Sequence, residues 1–138
     1  MRRLGWECLV VDHRPAHARE ERFAAGTRVR CQRPEELTQD QLASVDAAVV
    51  MSHHVEHDLA YLRRLVQYPP AYLGLLGPAR RRDELLGRLD RGAVSAVNVR
   101  GPAGLDIGGE LPESIALSIV AEIHAVLNGR GAEPLAHA

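Results

Sequence analysis

The residues best placed to do chemistry lie in Gly101-Pro102-Ala103-Gly104-Leu105-Asp106-Ile107-Gly108-Gly109-Glu110-Leu111-Pro112-Glu113, which runs into an apolar stretch ending at Leu127. Glycine has no Cβ, so such a loop can approach a ligand or another backbone closely. The helix start behind it offers free backbone N–H groups, a ready anion site. Glu110 and Glu113 already complement that helix dipole, however, and a phosphate would meet like charge. The alternative is a tight turn followed by helix-capping acids.

Gly77-Pro78-Ala79-Arg80-Arg81-Arg82 has the opposite character. Pro78 suits a first helical position, but arginines in a first turn oppose the dipole by about 0.3–1 kcal/mol each when exposed. An anion held by Gly77, Arg80 and Arg81 would remove that conflict through charge-assisted hydrogen bonds. Local pairing is the competing reading, since Arg80 and Arg81 can both reach Glu84 along the helix. In Ser52-His53-His54-Val55-Glu56-His57-Asp58 the histidines lack the spacing and companions of a metal site, because a strand-to-helix boundary falls between His53 and His57. His53 alone, at a strand's carboxyl end, is a ligand-contact candidate. Asp12 ends an apolar strand and is a candidate for a ribose or another hydroxyl, with Arg14 near a phosphate. Local backbone N–H groups could equally hold Asp12.

These stretches need elements to position them. Glu7–Asp12, Thr27–Cys31, Asp46–Met51, Ala71–Leu76 and Ala96–Val99 read as strands. Helices are expected from Pro34 to about Ala43, through Val55, Leu59, Leu62 and Val66, from Pro78 to about Leu89, and from Pro112 to Asn128. A short helix could lie between His13 and Glu21. Ser114, Ser118, Ala121 and Ala125 form a small-residue stripe expected to pack on the sheet. Apolar strands alternating with helices predict a parallel sheet covered on both faces, in one domain over residues 1–129 with a loose tail at 130–138. In such folds ligands bind beyond the carboxyl ends of the strands, which groups the four stretches along one rim.

A dinucleotide fold carries G-x-G-x-x-G after its first strand, with an acid about 20 residues later. Asp12 fits that acid, but Gly5 is the only glycine before it. The chain is therefore expected to start inside the domain and to lack the first strand and glycine-rich turn. The strands at Glu7 and Asp46 would lose their shared neighbour and leave open edges. A second polypeptide completing the sheet, or a homodimer, would answer that.

The bulk numbers set limits. The chain has 138 residues, 46% hydrophobic and 25% charged, with formal net charge -1, enough for a sizeable core and without general attraction to nucleic acid or an acidic membrane. Aromatics are 4%, too few for base-stacking platforms. No apolar run reaches the roughly 18 residues of a membrane span, and the basic N-terminus has no signal-peptide core, so a cytoplasmic protein is expected. Cys8 and Cys31 form no disulfide framework.

With these stretches assembled, the sequence resembles the C-terminal domain of the XdhC/CoxI family, accessory proteins for xanthine dehydrogenase and carbon monoxide dehydrogenase type molybdoenzymes. The matching residues are Val10-Val11-Asp12-His13-Arg14-Pro15, Val49-Val50-Met51-Ser52-His53 with Asp58, Tyr72-Leu73-Gly74-Leu75-Leu76-Gly77 with Arg80-Arg81-Arg82, and Pro102 through Gly108 to Pro112-Glu113-Ser114 and Ala121-Glu122-Ile123. His54 stands where the family commonly has an acid, and Pro78 where it commonly has a serine.

The resemblance implies an α/β, Rossmann-like, three-layer fold with a mainly parallel sheet. It also implies a molybdenum-pterin cofactor, either molybdopterin or its cytosine dinucleotide, and an apo-molybdoenzyme client. A pterin ring displays amino and ring N–H donors, so Asp106 or Glu110 is expected to accept them, on the loop shaped by Gly104 and Gly108. The chain is then a cofactor-handling module rather than a turnover catalyst. The competing readings are an NAD(P)-dependent oxidoreductase, which the missing glycine fingerprint argues against, and a non-catalytic fragment or oligomerisation module.

Overall fold

The first four strands form where the sequence pattern places them, trimmed by one or two residues at their ends. The computed structural model describes residues 2–137, and its chain divides into two units, one up to Thr38 and one from Gln39 onward. Every strand pair in either unit is parallel, and helices connect the strands, which makes this an α/β Rossmann-like fold.

The first unit holds β1 (Leu9–Asp12) and β2 (Arg28–Cys31), paired in register from Leu9 opposite Arg28 to Asp12 opposite Cys31. Between them the chain makes a turn closed by the Arg14 carbonyl, which accepts from the His17 and Ala18 N–H groups, and then a 3-10 turn at Glu20–Arg22. The expected helix from Pro34 is interrupted. A 3-10 turn at Pro34–Glu36 ends at Leu37, whose backbone is extended, and a short α1 (Gln39–Ala43) follows in the second unit. Neither Cys8 nor Cys31 is in a disulfide.

The second unit contains β3 (Ala47–Val50), α2 (Val55–Leu65), β4 (Tyr72–Leu75), α3 (Ala79–Gly87), α4 (Arg91–Ser95), β5 (Val99–Arg100) and α5 (Pro112–Leu127). Its sheet runs β3-β4-β5, with Ala47 opposite Tyr72 and Leu73 opposite Val99. β4 is buried along its whole length, as a parallel strand flanked on both edges should be. Tyr72, Leu73 and Leu75 from β4, Leu59 and Leu62 from α2, and Leu85 from α3 form the driest part of the core. Each such side chain stabilises the fold by about 1.5–3 kcal/mol through burial.

β1 pairs only with β2 and β3 only with β4, so each presents one unpaired edge among the described residues. The fifth strand is shorter and later than the sequence pattern indicated. Asp90 accepts hydrogen bonds from the Gly92 N–H (2.7 Å) and the Ala93 N–H (3.2 Å), caps α4, and carries Ala96 into that helix's end. Gly129, at φ 63°, ends α5 as expected, and the Arg130 N–H returns to the Ala125 carbonyl at 2.8 Å. The tail beyond holds a 3-10 turn at Leu135–His137; Ala138 lies outside the described residues. Among the described residues, no helix is long and apolar enough to cross a membrane.

Candidate functional site

Three of the four rim stretches belong to the second unit, and buried polar groups tie them together. At the end of β3 the chain turns through Ser52 and His53 into α2. Asp58, one turn inside α2 and completely buried, reaches back to accept the Ser52 N–H at 3.0 Å and the Ser52 hydroxyl. Its other oxygen accepts from Arg81 of α3 at 2.6 Å. Gly77, at φ 125°, gives Arg81 its path, because a Cβ there would lie 2.9 Å from the arginine Cδ. His53 is exposed and holds the left-handed region at φ 59°, an uncommon conformation for a residue with a Cβ. The rings of His54 and His57 stack at 4.2 Å.

The three arginines at the start of α3 have different uses. Arg81 pairs with Asp58 rather than with Glu84. Arg82 donates to the Gly101 carbonyl at 2.7 Å and pairs with Asp83, which joins α3 to the glycine loop. Arg80 alone is exposed and makes no hydrogen bond or ion pair among the described residues. Much of the conflict with the helix dipole is therefore removed internally.

The glycine loop is anchored in its first half and exposed in its second. The Ala103 N–H donates to the Leu75 carbonyl at 3.2 Å, the Gly104 N–H to Glu122 at 2.8 Å, and the Leu105 N–H to the Ser118 carbonyl at 3.3 Å. The Ser118 hydroxyl donates in turn to the Leu105 carbonyl. Gly104 has φ 112°, and a Cβ there would collide with the Ser118 hydroxyl and sit 3.2 Å from the Ile119 nitrogen. Gly109, at φ 88°, likewise lies against Ser114. The close approach is thus to helix α5. Ser114 and Ser118, expected to pack on the sheet, seat the loop instead.

Beyond Leu105 the turn from Asp106 to Glu110 is exposed, with Gly108 in open space at φ 81°. Neither the Asp106 nor the Glu110 carboxylate takes a hydrogen bond or ion pair among the described residues. Two carboxylates with open lone pairs on an anchored loop can accept N–H donors from a ligand.

Beneath the loop sits Glu122, a lone acid in the apolar run of α5. Its carboxylate accepts from the Tyr72 hydroxyl at 2.7 Å, from Arg100 at 3.1 Å and from Gly104. The Arg100 guanidinium lies 5.8 Å from the centre of the Tyr72 ring. Gly74 makes room for that ring, since a Cβ would lie 2.8 Å from it. Burial pushes the Glu122 carboxyl up, but the hydrogen bonds from Tyr72, Gly104 and Arg100 outweigh it and hold the group below the usual carboxylate range. Burial, followed by the Glu122 hydrogen bond and charge, raises the Tyr72 phenol well above its ordinary value.

In the first unit Asp12 and Arg14 engage each other. The Arg14 backbone N–H and Nε donate to one Asp12 oxygen at 2.9 Å each, and Nη2 donates to the other at 2.8 Å. The Arg14 hydrogen bonds lower the Asp12 pKa to about 2, against a smaller upward push from burial.

The sequence pattern did not single out the two holding residues, Asp58 and Glu122. The signals were present: an acid one turn into α2, where it can reach back to the strand end, and a single carboxylate between Ile119 and Ile123. A charge on the inward face of an apolar helix is retained only with partners.

Known proteins are similar to this chain in sequence and fold. The family model described as the XdhC Rossmann domain matches residues 1–123. The chain belongs to the XdhC Rossmann-domain family. It is 38% identical over 120 residues to a protein of Bacillus subtilis (strain 168) named as a probable xanthine dehydrogenase subunit, covering 86% of this chain and 35% of that one. It is also 36% identical over 74 residues to the uncharacterized protein YqeB of Escherichia coli (strain K12), covering 51% of this chain and 14% of that one. The crystal structure of a xanthine dehydrogenase (BH1974) from Bacillus halodurans matches with a TM-score of 0.71 at 26% identity, over 92% of this chain and 37% of that one. This XdhC-type chain thus spans about a third of the B. subtilis and B. halodurans proteins.

Proposed function

We propose that this XdhC-type domain serves the maturation of a xanthine dehydrogenase or carbon monoxide dehydrogenase type enzyme, by holding a molybdenum-pterin cofactor and passing it to the apo-enzyme. The observation that carries this reading is the Asp106–Glu110 turn. It is exposed, bears two carboxylates unpaired among the described residues, and stands on a loop anchored to β4, α3 and α5 in a family-matched chain. A pterin's N–H groups supply the donors such carboxylates accept. Arg80, which makes no hydrogen bond or ion pair among the described residues, would meet the phosphate together with His53 and Gly77. Gly104 and Gly108 shape the turn. In the first unit, Asp12 and Arg14 are engaged with each other. In this reading the domain accepts and releases a cofactor and performs no turnover chemistry of its own. Its partners are the client enzyme and a second polypeptide, either one completing a sheet at an open strand edge or a second copy of this chain.

The test is a set of calorimetric titrations of the chain with molybdopterin, NADH and NADPH. Binding of the pterin and neither nicotinamide is the expected result. Binding of a nicotinamide alone would replace this reading with an oxidoreductase.

A further inference from the structure

The outward side of α5 points to a second copy of this chain. Glu113, Leu117, Val120, His124 and Leu127 follow one another at alternating steps of four and three residues, the spacing of a helix-pairing seam. Leu117 is 62% exposed and Leu127 37%, while Glu113 and His124 are exposed and Val120 is half-buried. The opposite side of the same helix buries Ile119, Glu122 and Ile123. A helix that is apolar on both sides is normally covered on both.

Charge decides the occupant and its direction. The seam carries an acid at its start, Glu113, and a histidine towards its end, with Arg130 just past the helix and no acid from Ile123 to Ala132. A parallel pair would set Glu113 beside Glu113. An antiparallel pair sets each Glu113 against the partner's Leu127, within reach of its Arg130. It also sets Leu117 against His124, and Val120 against Val120 on the two-fold axis. The helix dipoles then oppose one another favourably.

We infer that α5 forms the dimerisation surface of this domain, antiparallel and centred on Val120. The inference does not depend on the cofactor reading. One helix of 16 residues is about 24 Å long and offers less than the roughly 1,200 Å² that stable interfaces bury. The dimer is therefore weak and reversible, forming at micromolar concentrations.

Sedimentation equilibrium of the 138-residue chain from about 5 to 500 μM tests this. The expected result is a monomer–dimer equilibrium that Leu117→Glu weakens at least ten-fold. A chain monomeric throughout, or a Leu117→Glu protein that is folded and dimerises as before, overturns the proposal. Because Leu117→Glu could disturb folding, cross-linking gives a second reading in a background with Cys8→Ser and Cys31→Ser. Val120→Cys should form a disulfide-linked dimer on mild oxidation. Glu113→Cys should not, since its two copies would lie about 20 Å apart. Equal cross-linking at both positions, or at neither, contradicts the antiparallel seam.

Discussion

Glu122→Gln should lower the unfolding free energy by about 2–4 kcal/mol, because it removes the charge that balances Arg100 while Tyr72 and Gly104 still need acceptors. In a chain of this size the melting temperature should fall by roughly 10 °C. The glutamine keeps the carboxylate's shape, so the loss isolates charge and acceptor count from packing. Glu122→Ala should cost more, since it adds a cavity under the loop. A change below about 0.5 kcal/mol in urea unfolding of Glu122→Gln would contradict the role given to this network.

The same network sets a pH dependence. Glu122 titrates lower in the folded chain than its ordinary value of 4.5, so its contribution is full above that value and is lost as pH falls through the folded pKa. Tyr72 is shifted the other way from 10.0, so its contribution is full below that value and is lost as pH rises towards the folded pKa. The wild-type chain should weaken on both sides of this window. Glu122→Gln should flatten the acid side, leaving the part due to Asp12, whose folded pKa is about 2, and should also reduce the alkaline side, because the Glu122 hydrogen bond and charge help to raise Tyr72.

Asp58→Ala is expected to cost about 3 kcal/mol. It strips Ser52 of its acceptor and leaves Arg81, at 21% side-chain exposure, without its counter-charge. Asp58→Asn should lose less, since an amide oxygen can still serve Ser52 while its NH2 faces the guanidinium donors. In a double-mutant cycle with Arg81→Met the coupling should be about 1–3 kcal/mol. Zero coupling would show that the pair is incidental. Because Asp58 also fixes the turn that carries His53, cleavage of the 52–54 segment by a protease should speed up in Asp58→Ala.

Much of this fold could be read from local pattern, and the reasons are specific. The runs at Val49-Val50 and Leu73-Gly74-Leu75 are apolar without helical spacing, and the residues around Leu59 and Leu62 repeat at helical spacing, so each period was unambiguous. Ala96–Val99 misled because its alternation competed with a stronger local signal, the Asp90 cap, which fixed a helix first. The glycine loop was recognised as a close approach, but sequence could not say to what. The answer depends on Ser114 and Ser118 lying directly beneath Gly109 and Gly104. The arginine cluster was harder still. Glu84 is the near neighbour in sequence, yet Asp58, 23 residues before Arg81, is the partner, and only tertiary packing brings α2 and α3 together. What stayed readable was the chemistry left over after packing. Asp106 and Glu110 stood out in the sequence as acids on a glycine loop, with helix capping as the competing duty, and the fold gives their carboxylates no hydrogen bond or ion pair among the described residues.

That leftover chemistry underlies the proposed function, and one titration addresses it. Asp106→Asn with Glu110→Gln keeps the shape of the turn and removes both charges. Since neither carboxylate holds any other part of the described chain, the double variant should melt within about 1 °C of the parent. Charge-assisted hydrogen bonds contribute about 1.5–3 kcal/mol each, so molybdopterin affinity measured by calorimetry should drop roughly 100-fold or more. An unchanged affinity in the folded double variant would contradict the assignment of this turn as the element that reads the pterin.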